Sequence, residues 1–326
     1  MSLSPRRLLT FTGIAAATAF LAAPFKALST SLAVNVAAAT ETALPAANVN
    51  IWEALVLGIV QGLTEFLPIS STAHLKVIPV ALGWGDPGVA FTAVIQLGSI
   101  AAVLWYFWKD LADITTGSIQ AIRQGNYEAQ EFRMALGIIL GTIPICVFGL
   151  LIKKLIPDFD HSPLRSLGAI AAASIAMSIL LGIAEKFGSR ERNFDSLKLQ
   201  DGILMGLAQC LALIPGVSRS GSTLTAGLFM SLERETAARF SFLLGIPAIT
   251  LAGILELKDA LQVDLGSGGI IPLVVGTIVA AVVSYAAIAW LLGYLKTQNT
   301  WVFIWYRLVF GAAILGAIAT GILQNV

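Results

Sequence analysis

The chain has 326 residues, 57% hydrophobic and 12% charged, with 20 basic and 19 acidic side chains and a formal net charge of +1. Soluble domains carry roughly 25% charged residues, so this balance, with a mean hydropathy of +0.84, excludes a water-soluble globule. The scattered charges hold no basic run that could track nucleic acid, and Cys146 and Cys210 lie in apolar segments without the spacing of a zinc site or a disulfide framework.

A membrane helix needs about 20 mostly apolar residues. Runs of that kind, rich in Ala, Leu and Gly, predict an all-α polytopic membrane protein; a β-barrel would show alternating segments of roughly ten residues. Residues 1–50 stand apart. Arg6 and Arg7 precede an apolar stretch over 8–24 and then a segment rich in Ala, Ser and Thr, the layout of a signal peptide. An uncleaved anchor helix is the competing reading, and either way this extension lies outside the functional core.

Residues 51–326 are expected to form one membrane-embedded domain. Its apolar stretches fall at about 51–67, 89–108, 134–156, 164–184, 200–215, 221–232, 240–257, 269–295 and 302–323. Those at 200–215 and 221–232 are too short to span alone. The charged connections 109–133 and 185–201 are expected to be the longest solvent-exposed loops. Ser162 followed by Pro163 is expected to start a helix as N-cap and first helical residue. Lys109, Arg123 and Arg133 fall in one connection and Lys153, Lys154 and Arg165 in the next, so charge bias leaves the orientation undecided.

A shift of 148 positions, which carries residue 70 onto residue 218, superposes two parts of the chain. It places Gly58 on Gly206, Gln61 on Gln209, Leu63 on Leu211, Ile69 on Val217, Ser70 on Ser218 and Thr72 on Ser220. In both copies an apolar stretch runs into a proline, Pro68 or Pro215, and then into a Ser-rich turn. Leu140-Gly141-Thr-Ile-Pro144 and Leu244-Gly245-Ile-Pro247 follow in the same order. A duplicated unit is expected, with repeats over about 51–184 and 200–326. Interrupted hydrophobic segments at matching places in two halves point to a site between them, because irregular backbone at membrane depth survives only inside protein or beside a watery cavity.

The first copy reads Gln61-Gly-Leu-Thr-Glu65-Phe-Leu-Pro68-Ile-Ser70-Ser71-Thr72-Ala-His74. Gln61 and Glu65 are four apart and share a helix face. A carboxylate in an apolar segment is costly and marks a functional site by default, unless it sits at a helix end facing water. With the Gln61 amide it offers oxygen donors to a hard divalent cation, or it acts as a base. Ser70, Ser71 and Thr72 with His74 offer a hydroxyl nucleophile and an imidazole; Ser/Thr after proline as a helix cap, and His74 as a structural residue, are the bland alternatives.

The second copy reads Pro215-Gly216-Val-Ser218-Arg219-Ser220-Gly221-Ser222-Thr223. Its glycines permit tight turns, its N–H groups leading into a helix form an anion cradle, and Arg219 supplies a forked donor for phosphate oxygens. The competing reading is a capped loop with Arg219 snorkelling to headgroups. Together, a carboxylate-and-histidine half and an arginine-and-hydroxyl half describe a site for an anionic phosphate on a lipid.

Glu65-Phe-Leu-Pro-Ile-Ser-Ser-Thr-Ala-His74, Pro215-Gly-Val-Ser-Arg-Ser-Gly221 and Glu235-Thr-Ala-Ala-Arg-Phe-Ser-Phe-Leu-Leu-Gly-Ile-Pro247 closely resemble motifs of the undecaprenyl-diphosphatase family of bacterial membrane enzymes, the bacitracin-resistance type. The resemblance covers about 51–326. It implies hydrolysis of undecaprenyl diphosphate to the monophosphate and inorganic phosphate, which recycles the lipid carrier for cell-wall glycan synthesis. It further implies two inverted repeats with re-entrant helices, a multi-pass place in the plasma (inner) membrane with the site facing the extracytoplasmic side, and a divalent cation, Mg2+ or Ca2+. In the family's first motif an acid-x-x-x-acid pair begins with Glu or Gln; Gln61 takes that place here and Glu65 the second.

By position, Ser70, Ser71 and His74 match the first motif, and Ser218, Arg219, Ser220 and Thr223 the second. Arg219 is expected to bind the diphosphate and Glu65 to position metal or water. Ser71 and His74 are the candidates for nucleophile and proton donor, in an order the sequence leaves open. Ser70, Ser218, Ser220 and Thr223 are expected to bind substrate, and His161, in a polar connection, is given no chemistry. Lipid phosphatases built on two histidines and a Pro-Ser-Gly-His element are disfavoured, since only Ser-Thr-Ala-His74 is present. A lipid-phosphate transporter or flippase shares the repeat architecture and separates on turnover, and a passive scaffold would leave Glu65 and Arg219 without a reason to be there. The oligomeric state, monomer or homodimer, is open.

Overall fold

The computed structural model describes residues 49–156, 159, 162–260 and 270–325. The N-terminal extension up to residue 48 and His161 lie outside the described residues. Among those described, the chain forms helices α1 (Ile51–Phe66), α2 (Ser71–Ala81), α3 (Gly88–Tyr106), α4 (Trp108–Gln124), α5 (Gln130–Leu155) and α6 (Leu167–Phe187). After them come α7 (Leu199–Gln209), α8 (Arg219–Phe229), α9 (Arg234–Ala260), α10 (Ile270–Leu295) and α11 (Trp301–Ala319). The only β pairing among them is an isolated bridge between Arg192 and Leu232.

Among the described residues five helices are long and apolar enough to cross a membrane: α5, α6, α9 over Arg234–Lys258, α10 and α11. The pair Ala90–Tyr106 and Trp108–Gln124 bends by 62° at its break and makes a sixth candidate if taken as one span. Outward faces carry Ile278, Val282, Trp305 and Val309 in the open, which suits hydrocarbon and not water. The fold is that of an all-α, multi-pass membrane protein.

Local chemistry sets the breaks. Asn50 starts α1 through a capping box: its Oδ1 accepts from Glu53 N at 3.0 Å, and Glu53 Oε2 accepts from Asn50 N at 3.0 Å. Proline disfavours the helical conformation in the residue before it, and Leu67 (ψ 145) and Ile214 (ψ 115) are extended ahead of Pro68 and Pro215. Ser70 and Ser218 then take the same unusual conformation, φ 77 and φ 75, a strain of about 1–3 kcal/mol each for a residue with a Cβ. The eleven-residue helices α2 and α8 follow directly. The repeat offset read from the sequence therefore carries one turn-and-short-helix unit onto the other, and carries the start of α1 at Ile51 onto the start of α7 at Leu199.

The two units interlock, α1 packing on α10 and α7 on α5. A Cβ on Gly58 would meet the Gly276 carbonyl oxygen at 2.6 Å, and one on Gly202 would meet the Gly137 backbone at 2.6 Å; Gly206 lies as tightly against Gly141. Small residues permit such backbone approach where helix association cannot rely on the hydrophobic effect. Replacing Gly206 by Leu is therefore expected to force α5 and α7 apart and destabilise the protein by about 1–3 kcal/mol; a melting midpoint in detergent equal to that of the wild type would contradict this packing. Between the units, α3, α5, α9 and α10 enclose a core in which Phe66 meets Phe242 edge-on, ring centroids 5.3 Å apart.

Three sequence expectations change. Residues 109–133 are not one exposed loop, because α4 occupies most of them with Ile114, Ser118 and Ala121 buried along one face; at i, i+4 and i+7 these make an amphipathic stripe. The connection 185–201 is anchored, since Glu185 and Asp201 are buried. Glu185 accepts from Thr300 Oγ1 at 2.8 Å and pairs with Arg190 and Arg234, and Arg192 donates to Asp201. Pro163 opens only a single 3-10 turn, Pro163–Arg165, and the side chain that caps the following long helix is Ser166, accepting from Ala169 N at 3.3 Å.

Candidate active site

Glu65 and Arg219 lie 154 residues apart in sequence, one in the last turn of α1 and the other at the first position of α8. The interlocked units bring Arg219 Nη2 to 3.3 Å from Glu65 Oε1, and each side chain is only 9% exposed. A buried ion pair is worth keeping only where its remaining polar groups are used. The other carboxylate oxygen, Glu65 Oε2, accepts from Ser71 Oγ at 2.7 Å and from Gln61 Nε2 at 3.4 Å. The Gln61 amide also donates to Ser99 Oγ at 3.3 Å, and Ser99 meets Ser284 Oγ at 2.8 Å. This polar chain runs from α10 through α3 to the carboxylate.

Arg219 has more donors than partners. Its Nε and Nη1 are buried without a hydrogen-bond acceptor, and its guanidinium carbon stands 5.9 Å from the Phe66 ring centroid. Gly245 gives it room: a Cβ there would clash with the guanidinium. Two guanidinium nitrogens without acceptors beside a carboxylate, at the point where both broken segments meet, suit an anion with several oxygens.

The sequence-predicted hydroxyls divide by role. Ser71 is the one bonded to Glu65. Ser70 Oγ meets Thr72 Oγ1 at 3.1 Å, and Ser218 Oγ meets Ser220 Oγ at 3.2 Å, the same pairing in both copies. Ser218 Oγ also caps Gly221 N at 3.1 Å, and Ser220 Oγ donates to the Leu67 carbonyl at 3.0 Å, tying the second turn to the first. Ser222 Oγ bonds the Arg219 carbonyl at 3.0 Å, and Thr223 Oγ1 bonds the same carbonyl at 2.8 Å and Ser241 Oγ at 2.5 Å, joining α8 to α9. These side chains hold the turns; with Gly221 N–H capped by Ser218, the first-turn N–H groups of α8 they do not take are those of Arg219 and Ser220.

His74 is buried and engaged at both nitrogens. Nδ1 lies 2.7 Å from the Ser70 carbonyl, which can only accept, so Nδ1 carries a proton. Nε2 lies 2.6 Å from Tyr306 Oη, and the ring stacks on Phe310 at 4.3 Å. The imidazole thus holds the strained Ser70 turn and docks α2 on α11, while Ser71 pairs with the carboxylate.

Sequence reasoning missed three groups. Arg307 is fully buried in α11 and donates from Nη1 to the Pro68 carbonyl at 3.1 Å and from Nη2 to the Gly216 and Val217 carbonyls at 2.8 and 2.9 Å. The signal was available, since it is the single charged residue of the apolar helix Trp301–Ala319 and an isolated charge in a span is a functional hypothesis by default. Tyr306 beside it carried no such signal. Gln209, the repeat counterpart of Gln61, is fully buried with neither amide atom hydrogen-bonded.

Among the described residues no three of His, Cys, Asp and Glu cluster as a metal cage. Magnesium, however, is often held by one or two carboxylates plus substrate phosphates. Glu65 and Ser71 Oγ are hard oxygen donors that fit a divalent cation shared with a phosphate ligand, while Gln61 turns its Nε2 to the carboxylate and would add its carbonyl oxygen only with the amide turned over.

The fold and the site define a multi-pass membrane protein in which two broken helices meet at a buried carboxylate, hydroxyl and guanidinium. The family model described as bacitracin resistance protein BacA matches residues 54–313, and the chain belongs to that family. Relatives include a protein of Trichormus variabilis, 74% identical over 276 residues (85% of this chain, 86% of the relative). One of a Synechocystis species is 63% identical over 274 residues (84% of each chain), and one of Synechococcus elongatus 62% over 277 residues (85% of this chain, 96% of the relative). All three are named undecaprenyl-diphosphatase.

Proposed function

We propose that this protein is an undecaprenyl-diphosphate phosphatase, hydrolysing undecaprenyl diphosphate to undecaprenyl phosphate and inorganic phosphate. The observation that carries this reading is Glu65, which holds a seryl hydroxyl on one oxygen and a guanidinium with two unpaired nitrogens on the other. Family membership and the names of the relatives support it. A binding protein for the same lipid would need Arg219, but not a carboxylate bonded to a hydroxyl.

In this mechanism Arg219 and the N–H groups opening α8 bind the diphosphate, and the prenyl tail lies between apolar helices. Glu65 takes the proton of Ser71 as its oxygen attacks the terminal phosphorus. The Ser71 O–P bond forms, the bond from that phosphorus to the bridging oxygen breaks, and the electron pair leaves with the lipid monophosphate. Glu65 passes the Ser71 proton to the departing phosphate oxygen of the lipid monophosphate and is a carboxylate again. It then takes a proton from a water that attacks the phosphoserine; the Ser71 O–P bond breaks, inorganic phosphate leaves, and the proton goes from Glu65 back to Ser71 Oγ. Catalysis of this kind rests on positioning and charge neutralisation. Mg2+ or Ca2+, held by Glu65 and Gln61, would supply further neutralisation of phosphate charge. His74 holds the Ser70 turn, and Ser70, Ser218, Ser220 and Thr223 shape the cradle.

The cellular setting that goes with this reading is the plasma membrane, with the site open to the extracytoplasmic side, a part in peptidoglycan synthesis and cell shape, and resistance to bacitracin. All the named residues come from one chain, so a homodimer would carry two complete sites.

The test is phosphate release from a long-chain prenyl diphosphate by detergent-purified protein, with and without chelator. Release that stops with chelator and returns with added Mg2+ or Ca2+ is the expected result. Release that ignores the chelator would remove the cation from the mechanism. Binding without release, by folded protein with cation supplied, would replace the phosphatase with the transporter.

A further inference from the structure

We propose that Arg307 is a positioning residue for hydrolysis: by gathering the carbonyls of both broken turns it holds the Ser218 N–H and the first turn of α8 toward the diphosphate. This rests on the phosphatase reading.

The partners of Arg307 are main-chain carbonyls that the repeat relates to one another. Pro68 of the first turn and Gly216 of the second are counterparts at the same offset as Ser70 and Ser218, and one guanidinium donates to both and to Val217. A trans peptide unit is planar with its C=O and N–H on opposite sides. Drawing the Val217 carbonyl onto Arg307 therefore turns the Ser218 N–H away from it, one residue ahead of the N–H groups that open α8. Those groups begin a helix whose dipole favours an anion, and the same helix starts with Arg219, whose own unpaired N–H groups need an acceptor.

The contact is close. A Cβ on Gly221 would lie 2.9 Å from Arg307 Nη1 and 3.2 Å from Ser218 Cβ, so guanidinium, turn and helix start form one packed unit. Gly216 takes φ 92, and a Cβ there would meet the Ile170 carbonyl oxygen at 2.4 Å, so the second turn is packed against α6 as well as held by Arg307. A buried charge in a span is costly, and a fork that bridges two turns has a geometry that a single ammonium lacks.

Two variants test this beside the wild type, in detergent with cation present. Arg307→Lys keeps a charge but replaces the two-nitrogen fork that bridges Pro68 and Gly216 with a single ammonium. Gly221→Ala keeps the arginine and wedges a methyl group between it and Ser218. Loss of one oriented donor to a reacting oxyanion costs about 10²–10³ in rate, so kcat is expected to fall by about 10² in each variant while KM moves little. Inhibition by orthovanadate, a mimic of the five-coordinate phosphorus, should weaken by the same factor as kcat, with a melting midpoint near wild type.

A purely structural tether would lower the melting midpoint and leave vanadate inhibition of the folded fraction unchanged, and that result would overturn the inference. So would wild-type kcat in both folded variants, or a loss confined to KM. If Arg307→Lys does not fold, Gly221→Ala decides by the same readouts. A wild type that releases no phosphate would overturn the phosphatase reading and this inference with it, whereas an active wild type beside unimpaired variants would overturn the inference alone.

Discussion

Glu65→Gln is expected to abolish phosphate release while leaving a folded, monodisperse protein. The amide matches the carboxylate in shape and can still accept from Ser71 Oγ, which now stands 2.7 Å from Oε2, so packing in the last turn of α1 changes little. The substitution removes the charge that attracts the Ser71 proton and the partner of Arg219. General-base catalysis is worth about 10²–10⁴ in rate, and the lost cation ligand adds to it, so a fall of at least ~10³ is expected. Ser71→Ala should match it. Because the two residues act as one unit, the double variant should be no slower than the worse single variant. Glu65→Gln within tenfold of wild-type kcat would remove Glu65 as the base.

Arg219→Ala is the second large effect. An arginine that stabilises a transferring phosphoryl group is worth about 10³–10⁵ in kcat, and here it has Nε and Nη1 unpaired beside the site. A fall of roughly 10³ is expected, with a rise in KM, because the same donors hold the ground-state diphosphate. Arg219→Lys should recover little, since one ammonium cannot keep Glu65 and engage two phosphate oxygens. Added guanidinium ion should restore part of the activity of the alanine variant, in the space that Gly245 leaves beside the side chain. A variant with normal kcat and raised KM alone would make Arg219 a substrate anchor without a part in the chemical step.

Much of the architecture could be read from local pattern. The apolar stretches starting near 51, 89, 134, 164, 200, 221, 240, 269 and 302 each contain a helix, because a continuous apolar run of that length has few other ways to satisfy its backbone in a membrane. Helix α4 escaped because its many charged residues mask a stripe of three buried side chains. The buried state of Glu185 escaped because Arg234 and Thr300 come from other segments, and that of Asp201 because Arg192 meets it only once their shared connection folds back on itself. A loop rich in charge looks solvated until the opposite charges are known to meet it.

By itself the sequence determined that this chain lives in a membrane and that two stretches 148 residues apart share one pattern, and it pointed to the places where Pro68 and Pro215 interrupt two helices. Composition, a shared offset and proline's effect on its neighbour are local properties, and they survive without coordinates. The tertiary structure alone decided which hydroxyl meets the carboxylate. It assigned Ser71 to Glu65 and His74 to Ser70 and Tyr306, a separation of 232 residues. It also placed Arg307 on carbonyls 90, 91 and 239 residues away. The reason is physical: hydrogen-bond partners are set by atomic distance and direction, and between the two units those follow from glycine-mediated helix packing that no short window of sequence contains.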